Sequence, residues 1–297
     1  MGFNSLKHGE VFSVTNQLGD IDPQIMGSGL YLKDTRFLKS YHMTMNGVSP
    51  IFLTKSEEKG ICHVFKLSNG GMQAGDSHYE KMDLEINRSQ IIFDQVFYDH
   101  IEIINGSQKE ISFRLNFALE PSFDDLFEVR GAKRDKRGKI FPVEIGENIL
   151  KFRYQGLDNI TRSLYIQVSE GGNIEPTVIY YDVTLKPGDR KVFDIAFKPV
   201  IDNNKRPLLT YENAKLRAQI EVEKWFNDIT KISISNPSIN KTLHQAALDM
   251  YMLSTDMGHG HFPVAGIPWF CVPFGRDSII AAIQALVLNP SLAHSSE

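Results

Sequence analysis

This chain is short of the features that mark secreted, membrane-spanning or nucleic-acid-binding proteins. Its 297 residues include only two cysteines, Cys62 and Cys271, and only two tryptophans, Trp225 and Trp269. Two cysteines cannot make a disulfide framework, so the fold must rest on its core, and the reducing cytoplasm is the expected setting. No run approaches the ~18 apolar residues of a membrane span. Residues 1–15 carry neither a basic leader nor an apolar stretch behind one, so no signal peptide is expected. The Asn-x-Ser/Thr triplets at Asn87, Asn105, Asn159 and Asn240 are accordingly read as chance matches. Neither sign of charge dominates: 32 Lys and Arg against 36 Asp and Glu leave a net charge of −4. That balance gives no reason to expect nucleic acid or an anionic membrane as a partner. Metal-ligand spacing is also scarce. His259 and His261 in Asp256-Met-Gly-His-Gly-His261 would need two further ligands, and none accompanies them, so they read as solvated loop histidines. No metal or cofactor is expected.

What the chain does have is length and phenylalanine. A chain of 297 residues with 19 Phe can bury roughly three-quarters of its unfolded surface without staples. Up to about residue 206, short runs of Val, Ile, Phe and Tyr are broken by turn residues. Ile111, Phe113, Leu115, Phe117 and Leu119 alternate with Ser112, Arg114, Asn116 and Ala118. This period of two predicts a strand with one buried face. Phe97, Ile101 and Ile103 share one parity upstream, with Asn105-Gly106 between the two runs. Asn-Gly favours a tight reversal, so 96–104 and 110–119 are expected to form an antiparallel hairpin. Asn46-Gly47, Asn69-Gly70-Gly71 and Lys186-Pro187-Gly188-Asp189 mark further reversals, and Phe193, Ile195 and Phe197 repeat the alternation. Some dozen short strands without an intervening helical pattern predict an antiparallel β-sandwich.

After Pro207 the period changes. Tyr211, Ala214, Ala218, Val222 and Trp225 step by three and four, which predicts one helix with Thr210 as its N-cap. Leu243, Ala247, Met250 and Tyr251 mark a second helix, started at Asn236-Pro237-Ser238. Ile279–Leu288 reads as a third, apolar nearly all round and ended by Asn289-Pro290. Such a helix belongs inside a larger helical assembly. The expected organisation is therefore mainly β: a sandwich over 1–206, a helical linker over 207–232, and the truncated start of an α/α assembly over 233–297. Left uncovered, the C-terminal helices would present an apolar patch and self-associate.

The stretch Ala265-Gly-Ile-Pro-Trp-Phe-Cys-Val-Pro-Phe-Gly-Arg-Asp-Ser278 is the densest candidate site. Arg276 and Asp277 open the third helix. Asp277 suits an N-cap, accepting from the free N–H groups of the first turn. The pair also sets five N–H donors beside a carboxylate acceptor, which suits adjacent sugar hydroxyls. The two readings are compatible, since a capping Asp is held rigid. Trp269 and Phe270 just upstream offer an apolar platform for a pyranose ring. Asp277 is not read as a catalytic group, because glycoside hydrolysis needs two spaced carboxylates.

Two charged stretches remain. Arg130-Gly-Ala-Lys-Arg-Asp-Lys-Arg-Gly-Lys139 has six basic residues in ten and follows the acidic Phe123-Asp-Asp-Leu-Phe-Glu-Val129. The bland readings are a solvated hairpin and an excursion held by internal salt bridges; the alternative is a phosphate or partner site. Asp34-Thr35-Arg36 reads as a structural ion pair near a strand.

These residues also carry a resemblance. Gly19-Asp20, Gly29-Leu-Tyr31 and Asp34-Thr-Arg-Phe-Leu38 resemble the opening of the N-terminal domain of bacterial glycogen debranching enzymes of the amylo-α-1,6-glucosidase type. Asp125-Leu-Phe-Glu-Val-Arg-Gly131 resembles that family's mid-domain signature, and Ala265–Phe270 with Phe274-Gly-Arg-Asp277 resembles the start of its catalytic (α/α)6 barrel. The resemblance implies an N-terminal β-sandwich joined by a helical linker to an α/α toroid related to those of glucoamylases and trehalases. It implies hydrolysis of α-glucosidic bonds with inversion by a carboxylic acid and a carboxylate base. In such barrels an early Arg-Asp pair binds hydroxyls of the non-reducing sugar, a role that carries over to Arg276 and Asp277. The family's catalytic carboxylates lie further along its barrel, so none is assigned here. The chain is thus expected to be the N-terminal part of a glycogen-debranching glycoside hydrolase, inactive alone, with an α-glucan or oligosaccharide as partner of the complete enzyme. The alternatives are a non-catalytic carbohydrate-binding or interaction module, and a glycosidase of the same superfamily with another substrate. Maltooligosaccharide titration separates the first two: a partial subsite binds little, a binding module binds well.

Overall fold

The computed structural model describes residues 2–74, 77–202, 207–256, 260–272 and 274–290. The chain is mainly β, and all strand pairs are antiparallel. Two large sheets face each other. The seven-stranded sheet runs, in spatial order, Asn4–His8, Val11–Thr15, Gly29–Leu32, Thr35–Met45, Ile111–Asp125, Val178–Leu185 and Asn173–Ile174. The nine-stranded sheet runs Lys139–Ile140, Ile149–Gln155, Thr161–Val168, Arg190–Ile201, Val96–Asn105, Leu84–Phe93, Cys62–Ser68 and Ile51–Glu58, with Glu144–Ile145 also paired to Ile149–Gln155.

Alternation places the core between the sheets. Ile111, Phe113, Leu115, Phe117 and Leu119 are all buried and share one cluster with Phe97, Ile101, Ile103, Phe193, Ile195 and Phe197. Of the positions between them, Arg114 and Ala118 are exposed and Ser112 and Asn116 half-buried.

The expected hairpin between 96–104 and 110–119 does not form. Val96–Asn105 pairs with Leu84–Phe93 and Arg190–Ile201, whereas Ile111–Asp125 pairs with Thr35–Met45 and Val178–Leu185. The connection crosses from one sheet to the other. The physical reason is that alternation fixes which side of a strand is buried, and two strands facing each other across a core alternate just as two neighbours in one sheet do. Asn105 holds the crossover from the side-chain end, its amide donating to the carbonyls of Lys109 and Leu185. Neither Asn105 nor Gly106 has a positive φ. Asn46-Gly47 does reverse tightly, with φ of 48° and 78°, but it too leads from one sheet to the other.

The outer face of each large sheet is apolar in one area, and each such area is covered. Cys62, Val64, Ile91, Phe93, Val96, Tyr98 and Ala196 of the nine-stranded sheet pack against the helix Tyr211–Asp228. Helix α1 is the single turn Leu126–Val129, α2 is Tyr211–Asp228, α3 is Pro237–Leu253 and α4 is Gly275–Gln284. The buried residues of α2 are Tyr211, Ala214, Ala218, Val222 and Trp225, and Thr210 caps it by accepting from the Asn213 amide. Asn236 caps α3 with Pro237 in its first turn. Trp225, Ile229, Ala247, Ala282 and Ala285 join α2, α3 and α4. The third predicted helix starts four residues before Ile279 and its regular part ends at Gln284, because the chain passes into tight turns over 285–288. Its buried positions are the small residues Ser278 and Ala282, while Ile279, Ile280, Ile283 and Val287 are exposed. On the outer face of the seven-stranded sheet, Phe12, Val14 and Tyr31 pack against Val264 and Cys271. That second covered area carries the candidate site.

A candidate sugar-binding loop

The segment after α3 begins as a small ribbon, Ser254–Asp256 paired with His261–Pro263. Lys7 of the first strand anchors it. Its buried ammonium donates to the carbonyls of Met252 and Ser254 and to the Thr255 hydroxyl, at 2.7–3.2 Å. Burial pushes the Lys7 ammonium down to about 8, against the partly offsetting influence of Cys271 and Glu10. Cys62 and Cys271 are both buried free thiols.

From Val264 the chain lies on the sheet face, and Gly266 and Phe270 exchange backbone hydrogen bonds of 3.3 and 3.2 Å around the turn that carries Trp269. Two parts of the sandwich reach this turn. One is Gly27, whose φ of +82° suits glycine alone. A Cβ there would stand 2.8 Å from Pro268 Cγ and 3.2 Å from Trp269 Cζ2. The buried Tyr31 hydroxyl donates to the Gly27 carbonyl at 3.0 Å and fixes that approach. The other is Arg130, whose guanidinium lies 5.6 Å from the Trp269 ring centre.

Helix α4 then opens. The Ser278 hydroxyl is buried and donates to the Pro263 carbonyl at 2.6 Å, locking the first turn of α4 to the ribbon. The N-cap is Phe274, and among the described residues no side chain caps this helix. The expected capping by Asp277 is therefore corrected. Asp277 sits three residues inside the N-terminus, where its charge still complements the helix dipole but its carboxylate is free of the cap. Arg276 and Asp277 stand 3.5 Å apart with side chains 74% and 42% exposed. The Arg276 guanidinium also lies 5.4 Å from the Phe274 ring centre. Phe270 is 60% exposed. The loop thus brings Arg276, Asp277 and Phe274 together on one solvent-facing corner, and holds Trp269 against the sandwich. Among the described residues no hydrogen bond or ion pair joins the two groups. Chemically the corner offers a guanidinium donor set, a carboxylate acceptor and exposed aromatic rings.

His259 lies outside the described residues. His261 is exposed beside the Trp225 ring. Among the described residues no group of three His, Cys, Asp or Glu side chains is placed to hold a metal ion. No described helix is long and apolar enough to cross a membrane.

The acidic and basic stretches are one salt-bridged strap. Asp125 caps α1 and Glu128 reaches back to the Asp125 amide, a reciprocal capping box. Arg137 pairs with Asp124 at 2.8 Å and Glu128 at 3.4 Å, and Arg134 pairs with Asp125. Residues 132–138 run irregularly, without the expected hairpin, into the edge strand Lys139–Ile140. Arg36 pairs with Asp124 at 2.7 Å, which corrects the expected pairing within Asp34-Thr35-Arg36. Burial raises the Asp124 carboxyl, but Arg36 and Arg137 outweigh it and hold the group below the usual carboxylate value. Beside the strap a cleft of about 320 Å³ is lined by Phe123, Arg134, Lys136, Tyr154 and Arg162 among others.

Sequence reasoning missed Arg130, Gly27 and Lys7 as supports of the loop. Each acts across at least 139 residues of chain, so no local spacing could reveal it; only the string around Arg130 stood out at all.

No curated protein matches the chain. A bacterial glucoamylase in complex with acarbose shares its fold at a TM-score of 0.55 and 13% identity, over 99% of this chain and 48% of that one. The chain thus spans about half the length of that enzyme. The Slr1438 protein of Synechocystis sp. PCC 6803 gives a TM-score of 0.43 at 8% identity over 68% of this chain and 96% of its own. A galactose mutarotase-like protein from Lactobacillus casei ATCC 334 gives 0.36 at 10% identity over 68% and 100%. The family model for the N-terminal domain of (some) glycogen debranching enzymes matches residues 6–196, well over half of the chain, and the chain belongs to that family.

Proposed function

We propose that this chain is the N-terminal part of a glycoside hydrolase that acts on α-glucans, with glycogen debranching at α-1,6 linkages as the favoured activity. The observation that carries the reading is the family match over the sandwich, combined with a glucoamylase-like fold that continues through the loop bearing Arg276 and Asp277. Residues 1–206 form the sandwich domain in this proposal, 207–232 the linker, and 233–297 the start of the toroid. Arg276 and Asp277 bind substrate, the guanidinium donating to hydroxyl oxygens and the carboxylate accepting from hydroxyl protons. Trp269 and Phe270 supply the apolar platform for a sugar ring. Asp277 is solvent-facing and beside a guanidinium, a setting for binding rather than for proton transfer. The general acid and base, which must flank the bond as two spaced carboxylates, are assigned to residues outside this loop. The protein acts in the cytoplasm, without cofactor, metal or nucleic acid.

The test is turnover. The purified 297-residue chain should release no glucose from an α-1,6-branched glucan. Release of glucose would overturn the assignment of the acid and base to residues elsewhere, and its loss in Asp277→Asn with substrate binding retained would make Asp277 catalytic. A second reading, a carbohydrate-binding module, is favoured only by the cleft beside the strap, where guanidinium and aromatic groups line one cavity. Tight maltooligosaccharide binding that survives Asp277→Asn would select it.

A further inference from the structure

The strap around α1 has a feature that stability alone does not explain. α1 is a single turn of four residues that buries none of them fully, yet both of its ends are tied down. Its capping box joins Asp125 and Glu128, Arg134 and Arg137 tie both carboxylates down, and the Leu126 amide donates to the Asp34 carbonyl at 3.1 Å. Its apolar side chains, Leu126 and Val129, pack on the cluster that also holds Val264, Ile267 and Cys271 of the sugar-binding loop. The residue that leaves this turn is Arg130, and its backbone N–H still donates to the Leu126 carbonyl at 3.2 Å. A rigid base therefore delivers one exposed guanidinium to the ring of Trp269, 139 residues later in the chain.

We propose that Arg130 is a positioning residue for Trp269, and that the segment Asp125–Gly131 is a structural arm of the sugar site built on the sandwich. The proposal rests on the reading of Trp269 as a sugar platform, but its geometric part is tested separately. A guanidinium over an indole favours one ring orientation by about two- to fivefold at an exposed site. Gly27 closes the approach from the sandwich turn, since any Cβ there would collide with Pro268. Between these two contacts the ring is set before substrate arrives, which lowers the ordering cost of binding. The cationic head also adds donors at the platform's rim. An Asp or Glu at position 130 would turn the rim acidic and remove the contact.

The experiment reads Trp269 directly. Only Trp225 and Trp269 are present, so the difference between the protein and its Trp269→Phe variant isolates Trp269 emission. Iodide and caesium quenching are compared in the native protein, Arg130→Ala, Arg130→Met and Arg130→Lys, each with and without Trp269→Phe. A cation held over the ring favours iodide and repels caesium. The expected result is an iodide-to-caesium quenching ratio that falls about twofold or more in Arg130→Ala and Arg130→Met and is restored by Arg130→Lys. An unchanged ratio in Arg130→Ala, or a Lys variant that behaves like Met, overturns the proposal. Maltotriose is then added at high concentration. The expected result is a change in Trp269 emission in the native protein, reached at about two- to fivefold higher sugar in Arg130→Ala. If maltotriose leaves native Trp269 untouched while the quencher ratio responds as expected, the sugar reading fails and the placement of Arg130 stands.

Discussion

Arg88→Met is the sharpest test of how this sandwich is held together. Arg88 is fully buried between the sheets. Its Nε and Nη2 donate to both carboxylate oxygens of Asp99 at 2.7–3.1 Å, and Nη1 donates to Asp20 at 2.5 Å and to the Leu18 carbonyl at 2.9 Å. Burial opposes the charge on Arg88, and Asp99 and Asp20 outweigh it, so the guanidinium is held more firmly protonated than usual. Methionine keeps the stem but strands two carboxylates that are 0% and 4% exposed. Breaking such a pair costs about 3–5 kcal/mol. For a domain of this size each kcal/mol moves Tm by ~2–4 °C, so a loss of roughly 6–20 °C is expected. Arg114→Met is the control. Its contact with Asp182 is equally bidentate, at 2.8 and 3.1 Å, but both side chains are more than half exposed. That pair should contribute little, because both charges stay solvated whether or not they meet. Urea unfolding of both variants measures the difference. A loss at Arg88→Met no larger than at Arg114→Met would refute the claim that burial, not geometry, decides the worth of these pairs.

Three further outcomes follow from other contacts. Lys7→Met removes the donor from two acceptors of the ribbon and one at the end of α3, and should cost about 2–4 kcal/mol by denaturant unfolding. Because the folded value of Lys7 lies near 8, below its ordinary 10.5, keeping it charged costs stability at neutral pH. Native stability should therefore gain from this group as pH rises from 8 to 10.5, and the gain should vanish in Lys7→Met. The His42 imidazole is raised, chiefly by its hydrogen bond to Asp20, so its contribution is full below the ordinary histidine value and fades as pH rises through the folded one. The difference in stability between native protein and His42→Gln, followed from pH 5 to 8, should shrink across that window; a constant difference would contradict it. Ile279, Ile280, Ile283 and Val287 are exposed along α4 and the turns after it, and concentration-dependent association on size exclusion should weaken in Ile283→Glu.

How far the sequence was legible depended on the range of the interaction. The α2 stripe was readable residue for residue, since a helix folded over an apolar sheet face buries one stripe and Tyr211 to Trp225 spell it out. Strand faces were equally readable, but sheet membership was not: Val96–Asn105 and Ile111–Asp125 bury the same parity whether they are neighbours or face each other. The loop at 265–278 stood out by composition, yet its supports did not. Gly27, Arg130 and Lys7 reach it from the sandwich through tertiary contacts that leave no periodic trace. Asp277 shows the same limit on a smaller scale. Its residue type suits an N-cap, and the backbone placed the helix start three residues earlier, at Phe274.

The central proposal is that Arg276 and Asp277 on the solvent-facing corner, together with Trp269, which the same loop holds against the sandwich, form a sugar subsite. The most direct measurement is a two-dimensional amide spectrum of the protein titrated with maltotriose. The account predicts weak, saturable shifts at the Trp269 indole N–H and the amides of 275–278, lost in Arg276→Ala. Shifts confined to the cleft of Phe123, Tyr154 and Arg162, or none at the loop at any concentration, would contradict it.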